Sequence, residues 1–336
     1  IKLSSFAFDM HDIGVAGGVD GDVDVDGKTG EGNMRDKDNV GIIEFMGYTF
    51  LFPGFVSGPA IMFPQYRHFI ASTTSSGRRH RLAVRQFLMA VAFGVGHVLL
   101  KPLFNMELLL TDWYKQLPLV NRLVYLHVTN MNSRFMYYTA WLMAESSLIL
   151  VGFPHDVIQI VNPWQIESAH EPRQILQNWN ISTDRWLHRH FYLRMRSFLG
   201  PSLANVAVKM VSAVWHGFYP GYYCMFASYG VVSACSRVLF RSVRCPVGEG
   251  WRRKALLWVP CWLVVDYVMP PFSLLTWHKS VTWYRQSHWW GHILCFLIMF
   301  ALRFAPSSKA LYSKAPSSKA PSSKAPFSKT INPKTK

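Results

Sequence analysis

Residues Gln286–Leu302, QSHWWGHILCFLIMFAL, carry no charged side chain between Arg285 and Arg303. An apolar run with cationic flanks suits a bilayer, because the arginine stems can lie in hydrocarbon while their heads reach the surface. Four other runs read the same way. Gln86–Leu100 and Tyr219–Ser236 are free of charge, Met136–Phe153 is interrupted only by Glu145, and Ala255–Trp277 only by Asp266. Several fall short of the roughly 20 residues of a simple crossing, so tilted, re-entrant or bundle-buried helices are expected among them. Phe45–Tyr66 is also uncharged, but Pro53, Gly54, Gly58, Pro59 and Pro64 break it, which excludes one straight helix there. These patterns predict an all-α multi-pass membrane protein with five to seven membrane helices.

Composition supports this reading. Half of the 336 residues are apolar and 16% are charged, against about 25% in soluble domains. The 13 Trp and 14 Tyr suit a chain with many membrane–water boundaries. The net charge of +16 is unevenly spread, with residues 1–44 holding ten acids against four bases and residues 45–302 holding nine acids against 23 bases. In that middle region the bases mostly flank apolar runs, where anionic head groups meet them, so a nucleic-acid partner is not expected.

Two segments stand apart. Val19–Asn33 is rich in Gly and Asp, and Asp22, Asp24, Asp26 and Gly27 copy the first half of a calcium loop. Its twelfth position is Asn33 where a bidentate Glu is required, so calcium binding is not expected. Ala305–Lys329 is a five-residue repeat, APSSK, ALYSK, APSSK, APSSK and APFSK. It is too polar and Pro-rich to bury a core, and residues 305–336 are expected to form a disordered basic tail. The five cysteines form no CxxC pair, and His170, His188 and His190 follow no metal-ligand spacing, so no metal site is expected. Ile1 opens the chain directly on the pattern described below, which leads us to expect further helices upstream.

The chemistry concentrates in two places. SAVWHGFYPGYY, Ser212–Tyr223, sets His216 between apolar stretches, followed by the helix breakers Gly217, Pro220 and Gly221. An ionisable side chain in such a place is either a functional group or a core histidine satisfied by hydrogen bonds. A neutral imidazole is a suitable general base near pH 7. Upstream, QNWNISTDRWLHRHFYLR, Gln177–Arg194, joins Asn180 to a basic, aromatic stretch. Its arginines fit either an interfacial helix face or the phosphates of coenzyme A.

WNIS together with a downstream SAVWHGFYPGYY resembles the membrane-bound O-acyltransferases, in their lysophospholipid acyltransferase branch. KLSSFAFDMHD (2–12), GYTFLFPGFVSGPAIMFPQYRHFI (47–70) and RFMYYTAWLMAES (134–146) resemble other family segments in the right order. Met136 stands where the family commonly has Lys. The likeness covers residues 1–304 and implies an acyltransferase domain, a helical bundle enclosing a reaction chamber, lacking its first helices. It implies Asn180 and His216 as the catalytic pair. Trp215, Tyr222, Tyr223, Trp141 and Glu145, with Arg185 and Arg189, are the expected substrate contacts. The implied reaction moves a fatty acyl chain from acyl-CoA to the free glycerol hydroxyl of a lysophospholipid, with no further cofactor, in an integral membrane protein of the endoplasmic reticulum. A sterol, diacylglycerol or protein acceptor is the alternative within the superfamily, and a membrane transporter the alternative outside it.

Since every residue so implicated lies well upstream of the tail, a chain ending at residue 304 is expected to keep near wild-type acyl transfer. A well-expressed but inactive truncated protein would place part of the chemistry in the repeat.

Overall fold

A computed structural model of the chain describes residues 2–15, 40–54, 57–71, 77–242 and 250–303. The Asp-rich segment 19–33, the repeat tail and Cys245 lie outside the described residues. Within them the protein is helical, without a strand. The first elements are α1 (Lys2–Val15), α2 (Ile42–Thr49), α3 (Phe63–Ala71) and α4 (Gly77–Leu100). Then follow α5 (Asp112–Gln116), α6 (Leu119–Val151), α7 (His155–Ile158), α8 (Pro163–Glu167), α9 (Pro172–Asn178), α10 (Ile181–Leu187) and α11 (Leu193–His216). The remainder is α12 (Pro220–Ser242), α13 (Trp251–Val268), α14 (Pro270–Leu274), α15 (Trp277–Gln286) and α16 (Trp290–Arg303).

Each apolar run read from the sequence lies mostly in helix, and Phe45–Tyr66 is indeed broken between α2 and α3. Among the described residues, however, three stretches are long and apolar enough to cross a membrane: Arg79–Leu100, Ile181–His216 and Lys254–Leu274. The shorter Trp290–Leu302 is also apolar. The three are the members of the expected five to seven that length and composition alone identify among the described residues. α6 is not among them. It has 33 residues, about 50 Å of helix, but buries polar groups along its length: Thr129, Asn130, Asn132, Arg134, Glu145 and Ser146.

Those groups fix the neighbours. Arg79 Nη1 donates to Gly152 O at 2.8 Å, Gln86 Nε2 to Glu145 Oε2 at 2.9 Å, and His97 Nδ1 lies 3.0 Å from Asn132 Oδ1. As the α4 residue number rises, its α6 partner's falls, so the two helices are antiparallel. Close approach is possible because Gly94 and Gly96 face α6. A Cβ on either would stand 3.2 Å from Thr139 or Phe135, the small-residue contact that membrane helices use.

Glu145 is fully buried. Its Oε1 accepts from the backbone N–H groups of Ile160 (2.6 Å) and Val161 (3.0 Å), while Oε2 accepts from Gln86 and lies 3.4 Å from His155 Nε2. Both oxygens are thus committed to tying α4, α6 and the strand-like segment after α7 together. That is a structural task for a residue expected as a substrate contact. A second junction forms where Arg134 donates to both oxygens of Glu167 at 2.8 Å, Tyr138 donates to the same carboxyl group at 2.8 Å, and Asp266 of α13 lies 2.6 Å from His127 Nδ1. The lone acid of Ala255–Trp277 is therefore paired inside the bundle, as a charge at membrane depth requires. At the chain's start, Lys2 Nζ donates to Leu51 O at 3.2 Å, and burial pulls its amine down to about 8.

Replacing Glu145 with Ala strands two buried backbone donors, each worth about 1–3 kcal/mol. The melting temperature in detergent is expected to fall by several degrees for Glu145→Ala and less for Glu145→Gln, which keeps one acceptor. Equal, unshifted melting of both variants would show that the junction does not hold the fold.

Candidate active site

Ile181–His216 is helical throughout, but it is not one rod. Residues His188–Tyr192 form a π-helical turn joining α10 to α11, and Gly200 adopts φ 75°, ψ 166° inside α11. That conformation is nearly closed to any residue but glycine, and Pro201 behind it disfavours helical geometry at its predecessor. In a straight helix Leu187 and Val208 would stand about 31 Å apart. Instead Val208 and Val211 pack on the cluster of Ala60, Trp186 and Leu187, and Asp184 lies within Coulombic reach of Lys209. The chain therefore bends sharply at Gly200, and the second arm packs against the first near Trp186 and Leu187. Asn180 lies just before the first arm, and His216 is the last residue of the second.

Local sequence explains how each is presented. Asn180 has φ 48°, ψ 49°, a left-handed conformation that Asn tolerates better than most residues. It stands at the N-cap of α10, where Asn normally accepts from the first turn in an extended conformation. Here it makes no such bond, and among the described residues its amide has no hydrogen-bond partner. His216 is followed by Gly217 at φ 125°, which ends α11. Pro220 then opens α12, and Gly221 N–H donates to Leu275 O at 2.6 Å. A Cβ on Gly221 would collide with Pro271 O and Leu275. The breakers after His216 thus form the turn and the tight seam that bring α12 and α14 beside it.

The His216 imidazole, half-buried, makes no hydrogen bond among the described residues. It is surrounded by rings instead: Trp215 at 4.7 Å, Phe272 at 5.0 Å, and Tyr222 and Phe226 at 5.6 Å between centroids. The alternative of a core histidine satisfied by hydrogen bonds does not describe it. A second aromatic group adjoins Asn180, where Trp179 meets Trp141 at 4.8 Å and Tyr137 at 5.5 Å. Tyr137 in turn lies within Coulombic range of Tyr222. Two groups of rings thus flank the candidate residues, one around His216 and one around Trp179 beside Asn180.

Of the expected substrate contacts, Trp141 belongs to the group beside Asn180, Tyr222 and the partly exposed Trp215 belong to the group around His216, and Tyr223 is half-buried on α12. Arg185 and Arg189 have internal partners. Arg185 Nη1 donates to Asp156 O at 2.7 Å, and Arg189 Nη2 stands 3.9 Å from Asp9 Oδ1. These contacts tie α10 to the backbone at Asp156 and bring Arg189 beside α1. The histidines disperse as well: His188 stacks on Tyr192, His190 is buried against Phe8, and His170 lies against Gln174. Among the described residues no group of His, Cys, Asp and Glu gathers as metal ligands. Phe226, Phe272 and Tyr137 were not singled out from sequence. Phe272 comes from a distant turn, and nothing local marks it.

The chain matches the sequence profile of MBOAT, the membrane-bound O-acyltransferase family, over residues 32–277. It is 25% identical to membrane-bound glycerophospholipid O-acyltransferase 1 of Mus musculus, with 91% of this chain and 67% of that protein aligned. It is 24% identical to the lysophospholipid acyltransferase of Saccharomyces cerevisiae over 90% of this chain and 56% of the yeast protein. For lysophospholipid acyltransferase 5 of Bos taurus the identity is 24%, over 78% and 59%. The chain thus spans between about half and two thirds of the length of these relatives.

Asn180-Ile181-Ser182 is a glycosylation sequon by pattern, but Ser182 is buried and its Oγ accepts from Ala60 N–H at 3.2 Å. Glycosidase treatment is expected to leave mobility unchanged. A shift that disappears in Asn180→Gln would show that Asn180 carries sugar and is unavailable for chemistry.

Proposed function

The chain belongs to the membrane-bound O-acyltransferase family, and we propose that it transfers a fatty acyl chain from acyl-CoA to the free glycerol hydroxyl of a lysophospholipid, at the endoplasmic reticulum membrane. The reading is supported by one observation above the others: Asn180 and His216 each present a side chain without a hydrogen-bond partner among the described residues, beside a group of aromatic rings. The names of the relatives, which act on glycerophospholipids and lysophospholipids, support the acceptor class.

In this reading His216 takes the proton of the acceptor hydroxyl as its oxygen bonds to the thioester carbon. The carbon–sulfur bond then breaks, and the proton passes to the leaving thiolate, giving phospholipid and CoA. Asn180 positions the hydroxyl or donates to the carbonyl oxygen as charge develops there. The surrounding rings exclude water, which would otherwise compete as acceptor. No protein nucleophile is needed, and the two substrates meet directly.

The test supplies purified full-length protein with labelled oleoyl-CoA and a panel of lysophospholipids. Labelled phospholipid is expected, falling about 10²–10⁴-fold in His216→Ala. Asn180→Gly preserves the left-handed backbone while deleting the amide, so it is expected to fold normally and lose turnover. The double variant should be little worse than either single one, as for groups serving one transition state. Near wild-type turnover in His216→Ala would remove the assigned base, and labelled sterol, diacylglycerol or protein in place of phospholipid would refute the acceptor.

A further inference from the structure

A groove of about 720 Å³ runs along the outer face of α4, away from the residues assigned to chemistry. Arg81, Val84, Arg85, Leu88 and Ala92 of α4 line it together with Trp164 of α8, and the lining itself is almost wholly apolar, so the arginines contribute their stems and hold their heads at its border. Arg81, Arg85, Leu88 and Ala92 recur at helical spacing, so two cations and an apolar channel lie in one stripe. Neither arginine makes an ion pair or hydrogen bond among the described residues, and α4 contains no acid. Trp164 is 62% exposed, a large amphipathic ring of the kind enriched at membrane surfaces. Arg81 and Arg85 stand at the beginning of the Arg79–Leu100 stretch that can cross a bilayer, so the apolar channel descends from head-group level into hydrocarbon.

We propose that this groove is a binding site for one anionic phospholipid of the surrounding bilayer. Its phosphate is held by Arg81 and Arg85, and one acyl chain lies along Val84, Leu88 and Ala92 against Trp164. Charge decides the occupant. Two unpaired guanidinium groups one turn apart present forked donors that match phosphate oxygens, and the wall beneath them is apolar. A second protein helix would fill the channel but leave both cations unanswered. The site is independent of the acyl-transfer reading: none of its lining residues belongs to the group of rings around His216. Its floor nevertheless includes Met89, which packs on the same core cluster as Trp141 and Trp179, so a bound lipid would buttress that side of the bundle.

Full-length protein in nanodiscs containing phosphatidylserine with a photoreactive acyl chain tests the proposal. Irradiation, digestion and mass spectrometry are expected to map adducts to residues 84–92 and Trp164. Unlabelled phosphatidylserine should compete and phosphatidylcholine should not. Arg81→Gln and Arg85→Gln are each expected to cut adduct yield about five-fold, the worth of one cation near an anionic surface. Ala92→Trp, which fills the channel and leaves the cations in place, should abolish the adducts while melting is unchanged. Adducts on other helices, equal competition by phosphatidylcholine, or yields unmoved in these variants would overturn the assignment.

Discussion

Arg134 sits almost fully buried on α6, its guanidinium held by two parallel hydrogen bonds to Glu167, 4.3 Å over the ring of Trp262 and 3.9 Å from Asp266. An unpaired charge at that depth would be prohibitive, so α8, which brings Glu167, and α13, which brings Asp266 and Trp262, must close on α6 in one register. Eleven residues further along α6, Glu145 imposes the same demand on α4 and on the backbone at Ile160 and Val161. Between these two junctions α6 presents Tyr137 and Trp141. The aromatic group beside Asn180 is thus positioned by polar pairing on either side of it, and hydrophobic burial alone would not fix its rotation.

The other half of the candidate site depends on a backbone device. Gly200 and Pro201 bend one helical run sharply, and the π-helical turn at His188–Tyr192 re-aims the first arm so that His190 points inward and stacks on Phe8. Single π turns within helices are frequently associated with functional sites. Here the turn lies midway along the arm that begins at Asn180, and Arg194, which donates to His190 O at 2.9 Å and sits 4.7 Å over Phe8, locks α1 onto it. The N-terminal helix is thereby part of the support for the site.

Much of this was legible in the sequence, for identifiable reasons. Charge-free runs mark helices because composition along a bilayer is so restricted, and the Gly217, Pro220 and Gly221 breakers announced a turn after His216. Met136–Phe153 looks apolar in isolation, whereas the helix containing it extends upstream through Asn130, Asn132 and Arg134. Arg185, Arg189 and Glu145 look the same in sequence whether they greet a ligand or brace a neighbour. Only their partners decide, and these lie between ten and 180 residues away. The sharp bend at Gly200 was the largest omission, although the Gly-Pro pair is a recognisable breaker. The dense arginines of the first arm disguised it as a surface helix.

The antiparallel register of α4 and α6 also bears on how the protein is made. A helix carrying Arg134 and Glu145 is costly to release from the translocation machinery into lipid alone, at roughly 2.5–3.5 kcal/mol for each charge near the bilayer centre. α4 emerges first, with Gln86 and His97 already placed to meet Glu145 and Asn132. It offers α6 partners for these polar groups, so they need not face an apolar environment unpaired. The order of synthesis is thereby written into the hydrogen bonds of the finished bundle.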